Sequence, residues 1–241
     1  MVDVNYTYSK SLDENSEAER INEYENGGGT AAAYSGQVIN SWNTKGLYGP
    51  SDFDARHQLN ANWMLSLPVG RGKMLACGIS RLGGLAIDDW HLSGLARWSS
   101  GYPFSISTYA FGTDYEQDSR AVVVGSNPHT GVTMNNGVPN AFKNASSAAS
   151  SFRFAYPGES GQRNNLVGPG YFGIDMSLAK QWKMFSDSSV RFTWDVFNVT
   201  NSVRFDSGTI SQYLLYSSTL GNFSQSMTKP RVMQFSLRYS Y

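Results

Sequence analysis

Residues 231–241 constrain the fold more than any other segment of the chain. From residue 233 onward every second side chain is large and apolar, and the side chains between them are mostly polar. Successive side chains of a strand point to opposite faces, so this pattern predicts a strand with one apolar and one polar face. The apolar positions are Met233, Phe235, Leu237, Tyr239 and Tyr241. Such a strand, ending on an aromatic residue, is typical of the last strand of a transmembrane β-barrel, which faces lipid.

The composition agrees with a β-barrel and disfavours two other classes of protein. Lys plus Arg and Asp plus Glu both number 19, so the net charge gives no reason to expect a nucleic-acid partner. Charged residues make up 16% of the chain, against about 25% in soluble domains. No run of about 18 apolar residues occurs, which excludes a transmembrane helix. Barrel strands alternate and therefore leave no such run.

Six segments show the alternation expected of strands. They are residues 2–9, 57–67, 89–99, 171–183, 189–198 and 231–241. We therefore predict an all-β fold: an antiparallel transmembrane β-barrel segment of about six strands, an incomplete barrel, with long extracellular loops.

The two faces of these strands predict two groups of residues. Tryptophans on the apolar face predict aromatic girdles at the membrane interfaces, and Trp90 and Trp98 are spaced to reach both of them. The girdle residues are Trp63, Trp90, Trp98, Trp182 and Trp194. Charges on the polar face are predicted to line a wet lumen, and these are Asp175, Arg191, Asp195 and Arg238. Asp195 beside Arg191 or Asp175 predicts a lumen charge pair more readily than an acid–base pair.

The connections between the strands alternate between long and shorter, which predicts an orientation. Outer-membrane barrels have long extracellular loops and short periplasmic turns, so the first strand is expected to run outward and the C-terminus to lie at the periplasmic rim. Six strands cannot close a barrel, since known single-chain bacterial barrels start at about eight. Either further strands lie in the loops or the chain is a fragment. The N-terminus lacks a signal peptide, which favours a fragment of a longer chain.

No motif in the sequence predicts a catalytic, cofactor or metal site. His57, His91 and His129 lie too far apart for a metal motif, and the one cysteine, Cys77, has no histidine at useful spacing. The glycines at 27–29 lack the residues of a phosphate loop, and the acidic stretch 13–25 reads as a solvated loop. We therefore expect no enzyme activity and no cofactor.

Several segments together resemble a known family. In order along the chain, they are residues 48–57, 65–73, 89–94, 100–105, 168–178, 194–201 and 230–241. The ordered set is similar to the C-terminal end of TonB-dependent outer-membrane receptors. Within these it is most similar to the Oar-like group of acidobacterial type, which carries an N-terminal carboxypeptidase-regulatory-like domain.

The resemblance implies a barrel of about 22 strands with an N-terminal plug. Residues 1–241 would be its C-terminal part, without the plug and the regulatory-like domain. The implied location is the bacterial outer membrane, and the implied function is TonB-energised uptake of a large ligand: a siderophore, a glycan or a peptide. The implied partners are outer-membrane lipid, the TonB complex through the missing N-terminal part, and the barrel-assembly machinery. That machinery would read Met233, Phe235, Leu237, Tyr239 and Tyr241 as its signal.

A second interpretation of the alternation is a secreted, soluble β-rich carbohydrate-binding module. The two interpretations differ in what covers the apolar face of the strands. The face should be covered by an internal core in a soluble module and should meet lipid in a barrel.

Overall fold

The computed structural model describes residues 1–14, 16, 40–76, 78–112, 118–184 and 188–241. The glycines at 27–29, most of the acidic stretch 13–25, and Cys77 lie outside the described residues.

The described residues form one six-stranded antiparallel sheet in which each strand pairs with the next sheet strand along the chain. The strands are β1 (Val2–Tyr8), β2 (His57–Ser66), β3 (Trp90–Ser99), β4 (Tyr171–Lys183), β5 (Ser189–Phe197) and β6 (Val232–Ser240). The predicted strands are confirmed, with bounds that agree to within one residue at every end. The sheet is not closed, because neither β1 nor β6 has a second neighbour among the described residues.

The register places the apolar residues of all six strands on one face. Because side chains alternate along a strand, residues directly opposite one another across the sheet share a face. One row across the sheet consists of Val2, Trp63, Gly94, Met176, Val196 and Met233. Another consists of Leu65, Leu92, Leu178, Trp194 and Phe235. The intervening rows carry mainly polar side chains, and we call their side of the sheet the wet face.

The connections define the two ends of the sheet. Residues 9–56, 100–170 and 198–231 leave one end, which we call the upper end, and the shorter connections 67–89 and 184–188 lie at the lower end. The lower connection after β2 contains the helix α1 (Arg81–Ile87), and the upper connection after β3 contains α2 (Ala145–Ser150). Single turns of 3₁₀ helix lie at Thr44–Leu47, Ser207–Thr209 and Leu214–Tyr216.

The upper connections contain short strands that pair with one another in twos. The pairs are Leu12–Asp13 with Gly49–Pro50, Pro103–Phe104 with Leu166–Val167, Ser107–Phe111 with Asp118–Arg120, Val122–Val123 with Phe152–Arg153, and Thr133–Asn135 with Val138–Asn140. Within the described part of the chain, none of these short strands joins the six-stranded sheet.

The apolar core of the protein lies in the upper connections and not on the sheet. Twelve buried apolar residues from the connections 100–170 and 198–231 form one cluster, which includes Phe104, Phe142, Leu166, Leu220 and Phe223. The rings of Phe104 and Phe142 lie 6.5 Å apart. We call the described residues of the three upper connections the cap. Because the connections 100–170 and 198–231 share a core, the cap is a folded layer above the sheet.

Gly94 makes room on the apolar face for the indole ring of Trp63 in the neighbouring strand. A Cβ at position 94 would lie 2.4 Å from Cζ2 of Trp63 and 2.7 Å from the carbonyl oxygen of Asp175. Gly94→Ala is therefore expected to destabilise the sheet by about 1–3 kcal/mol, the usual cost of overpacking. The measurement is denaturant unfolding followed by tryptophan fluorescence. In a Trp63→Ala background the cost should fall but not vanish, since the Asp175 carbonyl remains; an unchanged cost would contradict the assigned contact.

Candidate functional site

The apolar face of the sheet is exposed in the protein. Phe235 and Leu237 of β6 are 64% and 72% exposed, and Val2, Val4 and Tyr6 of β1 are exposed as well. Soluble proteins seldom leave a contiguous apolar surface of this extent uncovered. The apolar face is therefore suited to contact lipid.

An aromatic cluster lies at the upper end of the apolar face. The hydroxyl of Tyr6 lies 2.7 Å from Nδ1 of His57, and the rings of Tyr8 and Trp98 lie 5.2 Å and 6.1 Å from the His57 ring. An aromatic girdle consists of such amphipathic rings, grouped at the height of the membrane interface. Of the four residues, only Trp98 was among the predicted girdle positions. Tyr6 and Tyr8 could have been predicted as girdle residues from the alternating apolar pattern of residues 2–9.

Two tryptophans and a lysine lie at the lower end of the same face. The indole N–H groups of Trp90 and Trp182 donate to the carbonyls of Ala86 and Leu85, at 2.9 Å and 2.7 Å. Lys180 lies between them, with Nζ 5.5 Å from each indole ring centroid. The sequence analysis did not single out Lys180. In the sequence, Lys180 stands out as a cation between Leu178 and Trp182, at a position where the alternating pattern predicts an apolar residue.

The other two predicted girdle residues lie nearer to the middle of their strands. Trp63 covers Gly94, and Trp194 stacks on Phe235 with ring centroids 5.8 Å apart. The indole nitrogen of Trp194 is buried and, among the described residues, has no hydrogen-bond partner. Their placement in a girdle stays a prediction.

The four predicted lumen charges share the wet face. Asp195 lies opposite Ser177, and Arg191 lies opposite both Gln181 and Arg238. The predicted charge pair with Asp195 is wrong: no ion pair in the described part of the chain joins these charges. Asp195 and Arg191 are four residues apart along one strand, a separation of about 13 Å. The carboxylate of Asp175 instead accepts the backbone N–H of Asn198, at 2.7 Å.

The five predicted assembly-signal residues lie at the sheet edge. Met233, Phe235, Leu237 and Tyr239 share the apolar face of β6, opposite Val196, Trp194, Phe192 and Val190. Tyr241 follows the strand and stacks beside Tyr239, with ring centroids 6.2 Å apart. Their role in assembly stays a prediction.

Arg163 joins the first and second upper connections inside the cap. Its buried guanidinium donates to the carboxylate and the carbonyl of Asp13, to the hydroxyl of Ser16 at 2.6 Å, and to Asp52 at 3.4 Å. The neighbouring Asn164 amide donates to the carbonyl of Pro50 at 2.7 Å. Since the partners lie on separate connections, this polar network stabilises the arrangement of the cap.

Several groups of the cap have shifted pKa values, and three of them matter for its stability. Burial alone would raise the pKa of Asp13, but hydrogen bonds from Ser16, Ser51 and Arg163 hold it below its usual value of 3.8. The hydrogen bond from Arg153, with one from the backbone of Tyr156, lowers the pKa of Glu159 to about 2. Burial, with the nearby guanidinium of Arg163, lowers the pKa of Arg120 to about 10.

The two carboxyl groups predict an acid sensitivity of the cap. A carboxyl whose pKa is lowered by folding stabilises the folded state above its unfolded pKa, and this contribution is lost as the pH falls through the folded pKa. For Asp13 and Glu159 the unfolded values are 3.8 and 4.5, and the folded value of Glu159 is about 2. We expect the free energy of unfolding to fall as the pH drops below about 4.5. Denaturant titrations at several pH values measure this, and Glu159→Gln should flatten the lower part of the profile only slightly, because its ion pair with Arg153 is partly exposed.

The described residues show no cluster typical of a metal centre. Within them, no three His, Cys, Asp or Glu side chains are grouped so as to hold a metal ion. None of the helices in this part of the chain is long and apolar enough to cross a membrane.

The antiparallel sheet with an exposed apolar face, an aromatic cluster at each end and a wet opposite face defines an outer-membrane β-barrel protein. A family model described as "Outer membrane beta barrel domain" matches residues 1–234. The chain belongs to this family, and its place is the bacterial outer membrane. A search of the curated proteins and a search of solved structures found no match.

The family determines how the two faces and ends are oriented. In outer-membrane barrels the apolar face meets lipid, the wet face lines the lumen, and the long connections are extracellular. The cap therefore lies outside the cell, and the lower connections face the periplasm. The interpretation as a secreted soluble module is set aside, because the apolar face is exposed and the family is a membrane family.

Proposed function

We propose that this chain is the C-terminal part of the barrel of a TonB-dependent receptor that takes up a large ligand across the outer membrane. The observation that carries the proposal is the cap. Its connections 100–170 and 198–231 fold around a shared apolar core at the extracellular end of the sheet. A folded layer of this kind presents polar side chains in fixed positions, which suits a receptor surface better than a simple pore.

The open sheet supports a barrel larger than six strands. Both outer edges, at β1 and at β6, lack a neighbouring strand among the described residues. Each unpaired backbone group in lipid costs several kcal/mol, so these edges must be paired in the membrane. Additional strands that complete a wide barrel would pair both edges and leave room for a plug. The ordered resemblance to the Oar-like receptors supports the same arrangement.

We further propose that the chain has no catalytic role and that its ligand is recognised by the cap. The candidates are a siderophore, a glycan or a peptide, as in the resemblance. The contact to the TonB complex would be made by a plug outside residues 1–241. Outer-membrane lipid and the barrel-assembly machinery would be the other partners, with no nucleic acid and no cofactor.

The test isolates the protein from the outer membrane of the cells that produce it. An affinity tag is inserted between Gly125 and Ser126, which lie in an exposed turn of the cap and leave the C-terminus unchanged. The expected result is a polypeptide much larger than the 26.6 kDa of this chain, with plug peptides in its digest. Cross-linking in intact cells should attach it to TonB.

Cells that lack TonB supply the control for the cross-link. A tagged protein that has plug peptides but no cross-link to TonB would contradict energised uptake and leave the barrel assignment intact. A tagged protein of only about 26.6 kDa would contradict the larger barrel.

A further inference from the structure

The helix α1 returns onto the lipid-facing side of the sheet. Trp90 and Trp182, whose side chains lie on the apolar face, donate their indole N–H groups to the carbonyls of Ala86 and Leu85 in the last turn of the helix. Lys180 donates to the carbonyl of Asp88, the C-cap residue. The last carbonyls of a helix have no partner within it, so these donors hold its C-terminal end against the apolar face.

The side chains that α1 presents outward are leucines. Leu82 and Leu85 are 81% and 59% exposed, and their spacing of three places them on the same side of the helix. Met74 and Leu75 of the same connection are exposed as well. Gly84 is buried, and a Cβ there would lie 2.7 Å from the carboxylate of Asp88, the C-cap residue of the same helix. The helix thus leaves its large apolar side chains uncovered.

Charged groups surround the helix on the side of the periplasm. Lys73 forms an ion pair of 3.0 Å with Asp89, and the backbone N–H of Arg71 donates to the Asp88 carboxylate at 2.8 Å. A cavity of about 420 Å³ opens beside α1, with Arg71, Asp88, Lys180 and Lys183 in its lining. Cationic and anionic groups next to exposed leucines match the layer where phospholipid headgroups meet acyl chains.

We propose that α1 is an interfacial anchor that lies in the periplasmic leaflet of the outer membrane, with Leu82 and Leu85 among the acyl chains of its phospholipids. The leucines continue the apolar face of the sheet at its periplasmic end, so that the helix and the strands share one lipid surface. Lys180 stabilises this anchor in two ways. Its ammonium group caps the C-terminal end of the helix, and its charge lies close to the indole rings of Trp90 and Trp182. This inference rests on the outer-membrane location and is independent of TonB coupling.

The test places an environment-sensitive fluorophore on the helix. In the whole protein with Cys77→Ser, single cysteines are introduced as Leu82→Cys or Leu85→Cys, labelled with nitrobenzoxadiazole, and reconstituted into phosphatidylethanolamine–phosphatidylglycerol vesicles. Lipids brominated along the acyl chain act as quenchers. The control is Val124→Cys, an exposed apolar position in the cap, far from lipid. We expect blue-shifted emission and strong quenching at positions 82 and 85, and water-like, unquenched emission at 124.

The depth of the bromine refines the expected result. Interfacial helices lie about 5–10 Å into the boundary between headgroups and acyl chains, so bromine near the headgroup should quench more than bromine near the chain end. Trp182→Phe removes the hydrogen bond to Leu85 and keeps an apolar ring. This substitution should reduce quenching at position 85 without removing the protein from the vesicles.

Two outcomes would overturn the proposal. Water-like emission at 82 and 85, quenched by iodide in solution, would place the helix outside the bilayer. Blue-shifted emission that brominated lipid does not quench would mean that protein, from the same chain or a second copy, covers the leucines.

Discussion

Phe235→Arg is expected to lower the amount of folded protein in the outer membrane. Phe235 lies in the middle of β6 on the apolar face, exposed to the lipid and stacked on Trp194. An arginine at the lipid-facing centre of a barrel strand costs about 2–4 kcal/mol, which corresponds to a roughly 30- to 900-fold lower ratio of folded to unfolded protein. The measurement is the fraction that migrates as the compact, heat-modifiable form on gels of isolated outer membranes.

The neighbouring residue provides a matched control. Gln234 lies on the wet face, directly opposite Asp195, so Gln234→Arg places the same new charge beside a carboxylate. Opposite charges across a strand pair are favourable by about 0.2–1 kcal/mol, and we expect no loss of folded protein. Equal losses for both variants would mean that β6 tolerates no arginine on either face, and would contradict the assignment of the faces.

Refolding of purified protein into lipid vesicles separates two causes of the Phe235→Arg defect. If the cost arises from lipid contact, the defect should persist in vesicles that lack the assembly machinery. If Phe235 acts only as an assembly signal, refolding in vesicles should be close to normal while the cellular defect remains.

Arg163→Met is expected to destabilise the cap by about 2–3 kcal/mol. The substitution removes the guanidinium that forms ion pairs with Asp13 and Asp52, while hydrogen bonds from Ser16 to Asp13 and from Asn164 to Asp52 remain. Breaking a fully buried pair costs about 3–5 kcal/mol; the figure here is smaller because the Asp13 side chain is 25% exposed. The measurement is the denaturant midpoint of the purified protein, with protease sensitivity of the extracellular connections on intact cells as a second readout.

Arg153→Met is the matched control for this prediction. Arg153 also pairs with a carboxylate, Glu159, at 2.6 Å, but both side chains are about one-third exposed. Exposed ion pairs contribute little, so this variant should lose much less stability. The defect of Arg163→Met should also shrink in acid, where Asp13 is protonated and no longer needs the guanidinium to offset its charge. A defect that does not depend on pH would indicate lost packing and not a lost charge pair.

The strands could be predicted from the sequence with nearly correct bounds because their signal is local. Alternation with a period of two needs only neighbouring residues, and it gives both the position of a strand and the side that faces the core or the lipid. The bounds of β4, Tyr171–Lys183, agree with the prediction at both ends. The terminal pattern Met233, Phe235, Leu237, Tyr239 was sufficient to place β6 and its apolar face.

The contacts of individual side chains could not be predicted in the same way. The predicted charge pair of Asp195 was wrong for two reasons: strand geometry keeps Arg191, four residues along the same strand, out of reach, and Asp175, the diagonal neighbour of Asp195, is itself a carboxylate. Lys180 interrupts the apolar pattern of β4, and nothing near it in sequence shows that the end of α1 receives its ammonium group.

The sequence by itself therefore determined the class of fold, the six strands and the two faces, since all of these follow from short-range periodicity. Only the tertiary structure decided that the apolar core lies in the cap, that α1 lies on the lipid-facing side, and that Trp63 covers Gly94. The physical reason is the distance along the chain: Asp13 and Arg163 meet across 150 residues, and Leu85 and Trp182 across 97. Contacts of that range form only when the whole chain has folded, and no local pattern specifies them.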